Sequence, residues 1–320
     1  MHVPAAPATD STAADAAGAN VAAPATQAPA PDGAFSAPAR RLLLPGRQLL
    51  ALCERDMHLR PLLIVSDFDG TLAPIVMDPW GATIMPGARR ALRRLAATPG
   101  VLVAVLSGRT AADLAARVRV GGALYLGNHG VERAMLSRHV RAEMLRVPED
   151  SWLASYIGDA KRMSVEVAAA VPQAWLVIEP KGPAVAFHFR AAPDVADARR
   201  RVIEAVDRAD PAGRLARLFG RRVVELRPPG ATSKRDALRE LVEERHPAMT
   251  VMLGDDDADA EAFVVLRELR EAGLTRGLAV AVHAHADMPD SVVAAADVAL
   301  ASPGETARFL AGLARAVAGS

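Results

Sequence analysis

The sequence predicts an α/β protein: a doubly wound, mostly parallel, Rossmann-like sheet carrying an inserted α+β unit. Three observations predict it. Short apolar strands alternate with amphipathic helical segments through most of the chain, which is the pattern of a parallel sheet. Nearly every strand ends in a polar cluster (DFDGT, SGRT, GNHG, GDDD, HAHAD), and the carboxyl ends of strands form the binding edge of such sheets. Over residues ~148–228 the alternation breaks into helix, hairpin, helix and strand.

The chain of 320 residues is 51% hydrophobic and 23% charged, with a formal net charge of +1, an ordinary globular composition. Near-neutral charge gives no electrostatic reason to expect nucleic acid or an acidic membrane as partner. Cys53 is the one cysteine, so no internal disulfide and no cysteine metal cluster forms. A reducing compartment is expected. The longest apolar runs, such as VLVAVL, fall far short of the ~20 residues a membrane helix needs. Residues 1–38 are Ala, Pro, Thr and Asp with almost no large apolar side chain. They are expected to be disordered and lack the charged and apolar regions of a secretory signal.

The strand expectations are Leu62–Ser66, Val101–Leu106, Ala123–Leu126, Val251–Leu253 and Ala279–Val282. Helices are expected over 86–98 and 233–246, the second capped by Thr232 or Ser233 with Ala237, Leu238 and Leu241 on one face. In the middle, 148–171 reads as one helix. AWLVIEPKGPAVAFHFR reads as two strands around a Lys181-Gly182-Pro183 turn, followed by a helix over 193–210 and one strand ending in RRVVELRPPG. Residues 39–147 and 229–320 then form the main sheet, with 148–228 inserted.

The chemistry begins at LLIVSDFDGTLAP. Asp-Gly is a common turn pair, which explains Asp69 and Gly70 but not Asp67, an acid barely out of the core. Such a group is costly without a metal or a hydrogen-bond network. Asp67 can act as a carboxylate nucleophile and Asp69 as general acid and base. Phosphorus is the expected electrophile, with Mg²⁺ the expected metal. Ser107 and Gly108, at a strand end where a helix N-terminus is expected to begin, can bind phosphate. Thr71 is expected to steady Asp69 and to join the phosphate site. Lys234 opens a helix and can neutralise phosphoryl charge, and GDDDAD offers Asp255, Asp256 and Asp259 as metal or supporting groups.

Together DFDGT, Ser107, Lys234 and GDDxxxD resemble the four motifs of the haloacid-dehalogenase-like phosphatases. That resemblance implies a hydrolase core in which Asp67 forms a phosphoaspartate and Asp69 handles the proton. It also implies Mg²⁺ held by Asp67, the backbone carbonyl of Asp69 and Asp255, with Asp256 beside them.

The insertion is read as a cap over the mouth of the sheet, suited to a small enclosed substrate. Glu179 and Lys181, then His188 and Arg190, are each two apart, so strand alternation puts each pair on one face. Such groups are either a solvated face or a patch that binds hydroxyls. From Leu62 onward LLIVSDFDGTLAPI, VLSGR, LGNHGVE, EPKGPAVAFHFR, ELRPPGATSKRDAL and GDDDAD resemble the trehalose-6-phosphate phosphatase family. This implies Glu179 and Lys181 at the disaccharide or its phosphate, with Asn128, His129 and Glu225 as neighbours. His188 and Arg190 either join them or brace the hairpin. It also implies the last step of trehalose biosynthesis, a cytoplasmic location and a trehalose-phosphate synthase as pathway partner. Another sugar phosphate, or a silent sugar-phosphate sensor, is the alternative. One departure stands out: Ala258 and Ala260 replace the family's usual Thr and Glu, and Glu261 falls one position late, about 100° round a helix.

Overall fold

The computed structural model describes residues 43–53, 55–142, 145, 151–220, 222–283 and 289–318. The tail over 1–38, the first residues of the expected insertion (148–150) and residues 284–287 of the HAHAD cluster lie outside the described residues.

The strands are β1 Leu43–Leu44, β2 Leu62–Ser66, β3 Val101–Leu106, β4 Leu124–Gly127, β5 Glu132–Met135, β6 Val177–Lys181, β7 Ala184–His188, β8 Ala216–Gly220, β9 Val223–Arg227, β10 Met249–Gly254, β11 Arg276–Val282 and β12 Val298–Leu300. The helices are α1 Gly46–Cys53, α2 Pro86–Ala97, α3 Ala111–Val118, α4 Ser151–Ala154, α5 Ile157–Ala170, α6 Val195–Ala209, α7 Lys234–Arg245, α8 Asp257–Glu271, α9 Asp290–Ala295 and α10 Pro303–Ala316.

The main sheet has the order β1-β12-β11-β10-β2-β3-β4-β5. It is parallel except for β5, which pairs antiparallel with β4. The chain leaves β2 toward β3 on one side and returns to β10 on the other. The crevice at the carboxyl end of β2 is therefore the switch point where ligands bind in open sheets. β2 is buried along its whole length, as its unbroken LLIVS predicts for a strand covered on both faces. Leu63, Val65, Leu106 and Met252 face α7, α8 and α9 in one apolar cluster. Truncating such a residue, Leu63→Ala for instance, costs about 2–5 kcal/mol.

The second sheet, β6-β7-β9-β8, is antiparallel throughout. Val185, Phe187, Val224 and Leu226 alternate onto one face and pack on α5 and α6 through Met163, Val167, Val202 and Val206. This inserted α+β cap therefore has its own core, leaving its other face to polar side chains.

The structure departs from the sequence reading in small elements. β1, β5, β8 and β12 were not expected; they are short strands whose pairing depends on a neighbour more than on their own pattern. The expected helix over 148–171 is interrupted after α4. There the Ser155 hydroxyl donates to the Trp152 carbonyl (2.6 Å), a local bond that competes with helix continuation.

Candidate active site

Asp67 follows β2 directly, and its amide donates to Leu253 of β10 (2.9 Å). The residue is 3% exposed. The ammonium of Lys234 donates to Asp67 Oδ1 (3.0 Å) and to Asp259 Oδ1 (2.9 Å). Lys234 is the first residue of α7, whose start is set by a capping box between Ser233 and Asp236. Burial opposes the charge on Lys234, but Asp256, Asp259 and Asp67 hold it protonated well above its ordinary range.

Asp67, Asp255 and Asp259 each bring one oxygen within 4.8 Å of the others, all buried. Asp259 fills both of its oxygens within the protein: Oδ1 takes Lys234, and Oδ2 accepts from the amides of Asp255 (3.0 Å) and Asp256 (3.3 Å). Asp259 is thus a brace, which leaves Asp67 and Asp255 as the carboxylates best placed to hold a cation. Asp256, expected beside the metal, instead caps α8 by accepting from Asp259 N (2.9 Å), and its side chain is 53% exposed. The N-cap role engages Asp256 Oδ1, which also lies 3.4 Å from the Lys234 ammonium, so Asp256 supports that cation while standing outside the Asp67–Asp255–Asp259 group. Gly70, at φ +83°, lets Asp255 lie against the backbone; a Cβ there would stand 2.1 Å from Asp255 Oδ2. The Thr71 hydroxyl donates to Asp255 Oδ1 (3.2 Å), so Thr71 steadies Asp255, not Asp69 as expected.

Two of these three buried carboxylates, Asp67 and Asp259, take the ammonium of Lys234 and Asp255 does not, and hard oxygen donors of this kind suit Mg²⁺. Burial pushes Asp67 up to about 7 against the pull of Lys234. Burial and the Asp67 charge push Asp255 well above the carboxylate range. An unfolded aspartate titrates near 3.8. Between about pH 4 and 7 the metal-free native state therefore holds protons that the unfolded chain has released, and its stability falls as pH rises. Melting curves should show metal-free protein less stable at pH 7.5 than at pH 5.5, and a larger stabilisation by Mg²⁺ at pH 7.5. Equal Mg²⁺ shifts at the two pH values would contradict this account of the cluster.

Ser107 ends β3 with 2% exposure, and its Oγ accepts from Arg109 N (3.4 Å). The expected helix start at Gly108 lies further on. α3 begins at Ala111, is capped by Thr110, and its Ala111 amide is taken by Glu132 (2.6 Å). Gly108 serves close approach instead, since a Cβ there would meet His129 Nε2 at 2.8 Å. Arg109, given no role from the sequence, forks onto Asp69 through Nε (2.6 Å) and Nη2 (2.8 Å). It is fixed by Asp113 (3.0 Å) and the Pro79 carbonyl (2.7 Å), and it lies over the Phe68 ring. Its place in SGRT, directly after the strand-end serine, was the available signal.

The polar face of the cap carries a row of charges. Lys181 donates to Glu225 Oε2 (2.6 Å) and stands 3.9 Å from Glu179, and His188 Nε2 donates to Glu179 Oε2 (2.8 Å). Register explains the row: Ala186 of β7 lies between Glu179 and Glu225, and Ala184 lies opposite Lys181. Two methyl side chains leave room above the strand. Burial works against Glu225, yet Lys181 and then His129 hold it well below the carboxylate range.

Core residues meet this face. His129 Nε2 is 3.4 Å from Glu225, and Asn128 donates to the Lys181 carbonyl (3.5 Å) and to Glu132 (2.6 Å). Asn128 and His129 both have left-handed backbones, φ +47° and +60°, a strain that collects at functional sites. Asn128 Oδ1, His129 Nδ1 and His188 Nδ1 are buried without a protein partner, and buried polar atoms of this kind call for one. Arg190 lies beyond the end of β7, so it does not share the strand face with His188; its Nη1 donates to the Val76 carbonyl of the core (2.8 Å).

The trehalose-phosphatase family matches this chain across residues 65–296. The chain belongs to that family. The matched span runs from the end of β2 to the end of α9, so it includes every residue of the site described above. A trehalose-phosphate phosphatase of Mycobacterium tuberculosis (strain ATCC 25618 / H37Rv) is 35% identical over 277 residues, covering 84% of this chain and 65% of that protein. An uncharacterized glycosyl hydrolase of the same strain is 39% identical over 211 residues, covering 63% of this chain and 15% of that protein. The chain thus spans only part of the length of both relatives. The C-terminal domain of the C. albicans trehalose-6-phosphate phosphatase superposes with a TM-score of 0.67 at 22% identity, covering 86% of this chain and 98% of that one. At that identity the likeness concerns the fold.

Proposed function

We propose that this trehalose-phosphatase-family chain hydrolyses trehalose 6-phosphate to trehalose and phosphate, with Mg²⁺, through a phosphoaspartate on Asp67. The observation that carries the reading is the opposition of two sites. The buried Asp67–Lys234–Asp255 cluster lies at the sheet mouth, and the Glu179–Lys181–Glu225 row is joined to the same mouth through His129 and Asn128.

An Asp67 carboxylate oxygen attacks phosphorus while the bond from phosphorus to the sugar oxygen breaks, and Asp69 delivers a proton to that oxygen. Water then attacks phosphorus, Asp69 takes the water's proton, and the Asp67–phosphorus bond breaks to free phosphate. Lys234 and the Ser107 hydroxyl hold the phosphoryl oxygens. Asp67 and Asp255 would hold Mg²⁺, which would supply further charge neutralisation when bound. Asp69 performs its role only after turning away from Arg109, which occupies both of its oxygens here. Glu179 and Glu225 accept from sugar hydroxyls, Lys181 donates to them, and Asn128, His129 and His188 each keep a buried polar atom without a protein partner. The substrate would come from a trehalose-phosphate synthase, and a cytoplasmic setting agrees with the lone cysteine. Among the described residues no helix is long and apolar enough to cross a membrane.

Phosphate release should be compared for trehalose 6-phosphate, glucose 6-phosphate, sucrose 6-phosphate and a nitrophenyl ester. Strong preference for the first is expected; broad activity would transfer the reading to another sugar phosphate. Ligand binding in calorimetry without turnover would transfer it to a sensor. Lys181→Met and Glu179→Gln should each lower kcat/KM for trehalose 6-phosphate about 100-fold, the equivalent of one charged hydrogen bond. Turnover of the nitrophenyl ester should persist in both variants. Parallel loss on both substrates would remove the cap row from sugar recognition.

A further inference from the structure

On the opposite edge of the main sheet, a cavity of about 1020 Å³ opens beside the segment leading into β2, the turn after α2 and the end of α10. β2 runs from this edge to Asp67, so the cavity is separated from the active site by the length of the strand. His58, Arg60, Arg94 and Arg315 line it together with Thr98 and Val317, and among the described residues no Asp or Glu does. We propose that this cavity binds a compact anion bearing several phosphate groups.

Arg60 is built into the wall. Its Nη1 donates to the carbonyls of Met57 (2.6 Å) and Leu59 (3.0 Å), and its Nη2 to that of Val317 (3.4 Å). Gly100 admits its stem, since a Cβ there would lie 2.9 Å from Arg60 Cδ. A guanidinium held this way loses little freedom when a ligand arrives.

The other basic side chains are uncommitted. Among the described residues, the side chains of His58, Arg94 and Arg315 form no hydrogen bond or ion pair. Elsewhere helix arginines take carboxylates: Arg200 pairs with Asp197 and Glu204, Arg239 with Glu268, and Arg270 with Asp297. In a chain of net charge +1, three arginines around one concavity with no acid among its described lining residues are a local excess. Arginine forks match phosphate oxygens in pairs, and the volume is of the order of small-ligand pockets.

Other anionic partners fit less well. The exposed large apolar side chains, such as Trp80, Met77 and Trp152, lie outside the cavity lining, so it lacks the apolar contacts of a membrane-docking face. A concave site also suits a compact anion better than a long nucleic-acid backbone.

The test is calorimetry on the full chain with inorganic tripolyphosphate and with ATP, in Mg²⁺-free buffer at physiological salt. Micromolar binding is expected, weakened at least tenfold in the double variant Arg94→Ala, Arg315→Ala and unchanged in Asp67→Asn. Both replaced arginines are exposed, so the fold and the turnover of trehalose 6-phosphate should be retained. Tighter binding of ATP would assign part of the cavity to a nucleoside, and equal binding would assign it to free polyphosphate. Absence of binding, affinity unchanged in the double variant, affinity altered by Asp67→Asn, or a DNA duplex binding more tightly than either probe would each overturn the proposal.

Discussion

Asp67→Asn is expected to lower phosphate release by roughly 10⁴–10⁶-fold and, in the metal-free protein, to raise the melting temperature. On the proposed mechanism the loss follows from the amide's inability to attack phosphorus and leave again. The gain follows from the burial of Asp67 beside Asp255 and Asp259. Its carboxylate is pushed up to about 7, so at pH 7.5 its charged form costs stability that an uncharged side chain of the same shape does not. A rise of roughly 2–4 °C corresponds to about 1 kcal/mol in a chain of this size, and stability sacrificed for chemistry commonly returns in such variants. The stabilisation by Mg²⁺ should shrink at the same time, because one of its two carboxylates has gone. Calorimetric melting with and without Mg²⁺ checks both signs. A lower melting temperature for the metal-free variant would show that Asp67 is a net stabilising group, contrary to the cluster described here.

Lys234→Met should act in the opposite sense on stability while also damaging catalysis. Lys234 is 1% exposed and bonds Asp67 and Asp259 at once. Its removal leaves buried carboxylates facing one another with no cation, and breaking a buried ion pair from one side costs about 3–5 kcal/mol. The charge it offers the phosphoryl group is also lost, and removing one such stabilising group lowers kcat by about 10²–10³-fold. The decisive comparison is the double variant Asp67→Asn, Lys234→Met. Removing the acid should restore part of the stability lost with the lysine, because residues in one network are not additive. Strict additivity of the two melting shifts would mean that the two groups do not sense each other.

Much of this architecture was legible because apolar runs ending in polar clusters declare both a parallel strand and its functional end. That logic located Asp67, Ser107, Asn128 and Asp255 at the carboxyl ends of four adjacent strands, β2, β3, β4 and β10. The Lys181-Gly182-Pro183 turn likewise marked the hairpin that holds Glu179 and His188 together. What stayed hidden depends on directions taken within turns. Nothing in GDDDAD tells which acids point inward; the capping of α8 by Asp256 and the bonds from Lys234 and two amides to Asp259 decide that. Thr71 faces Asp255 because the left-handed Gly70 brings that carboxylate against the turn. Arg109 meets Asp69 across 40 residues of sequence, which periodicity does not reach. Ala260 packs in the apolar cluster on α8, so the position where the family usually carries Glu is here part of the hydrophobic layer.

The scarcity of lysine has a practical side. Of the three lysines, Lys181 is 5% and Lys234 1% exposed, both held by acids, whereas Lys161 on α5 faces solvent. An acylating dye applied to the folded chain therefore has one accessible lysine, on the helix layer behind the cap sheet. Once the α-amino group, which titrates lower than a lysine, has been blocked, the cap is a place for a fluorescent reporter installed without any mutation, and changes in its emission would follow the cap itself while substrate enters and product leaves.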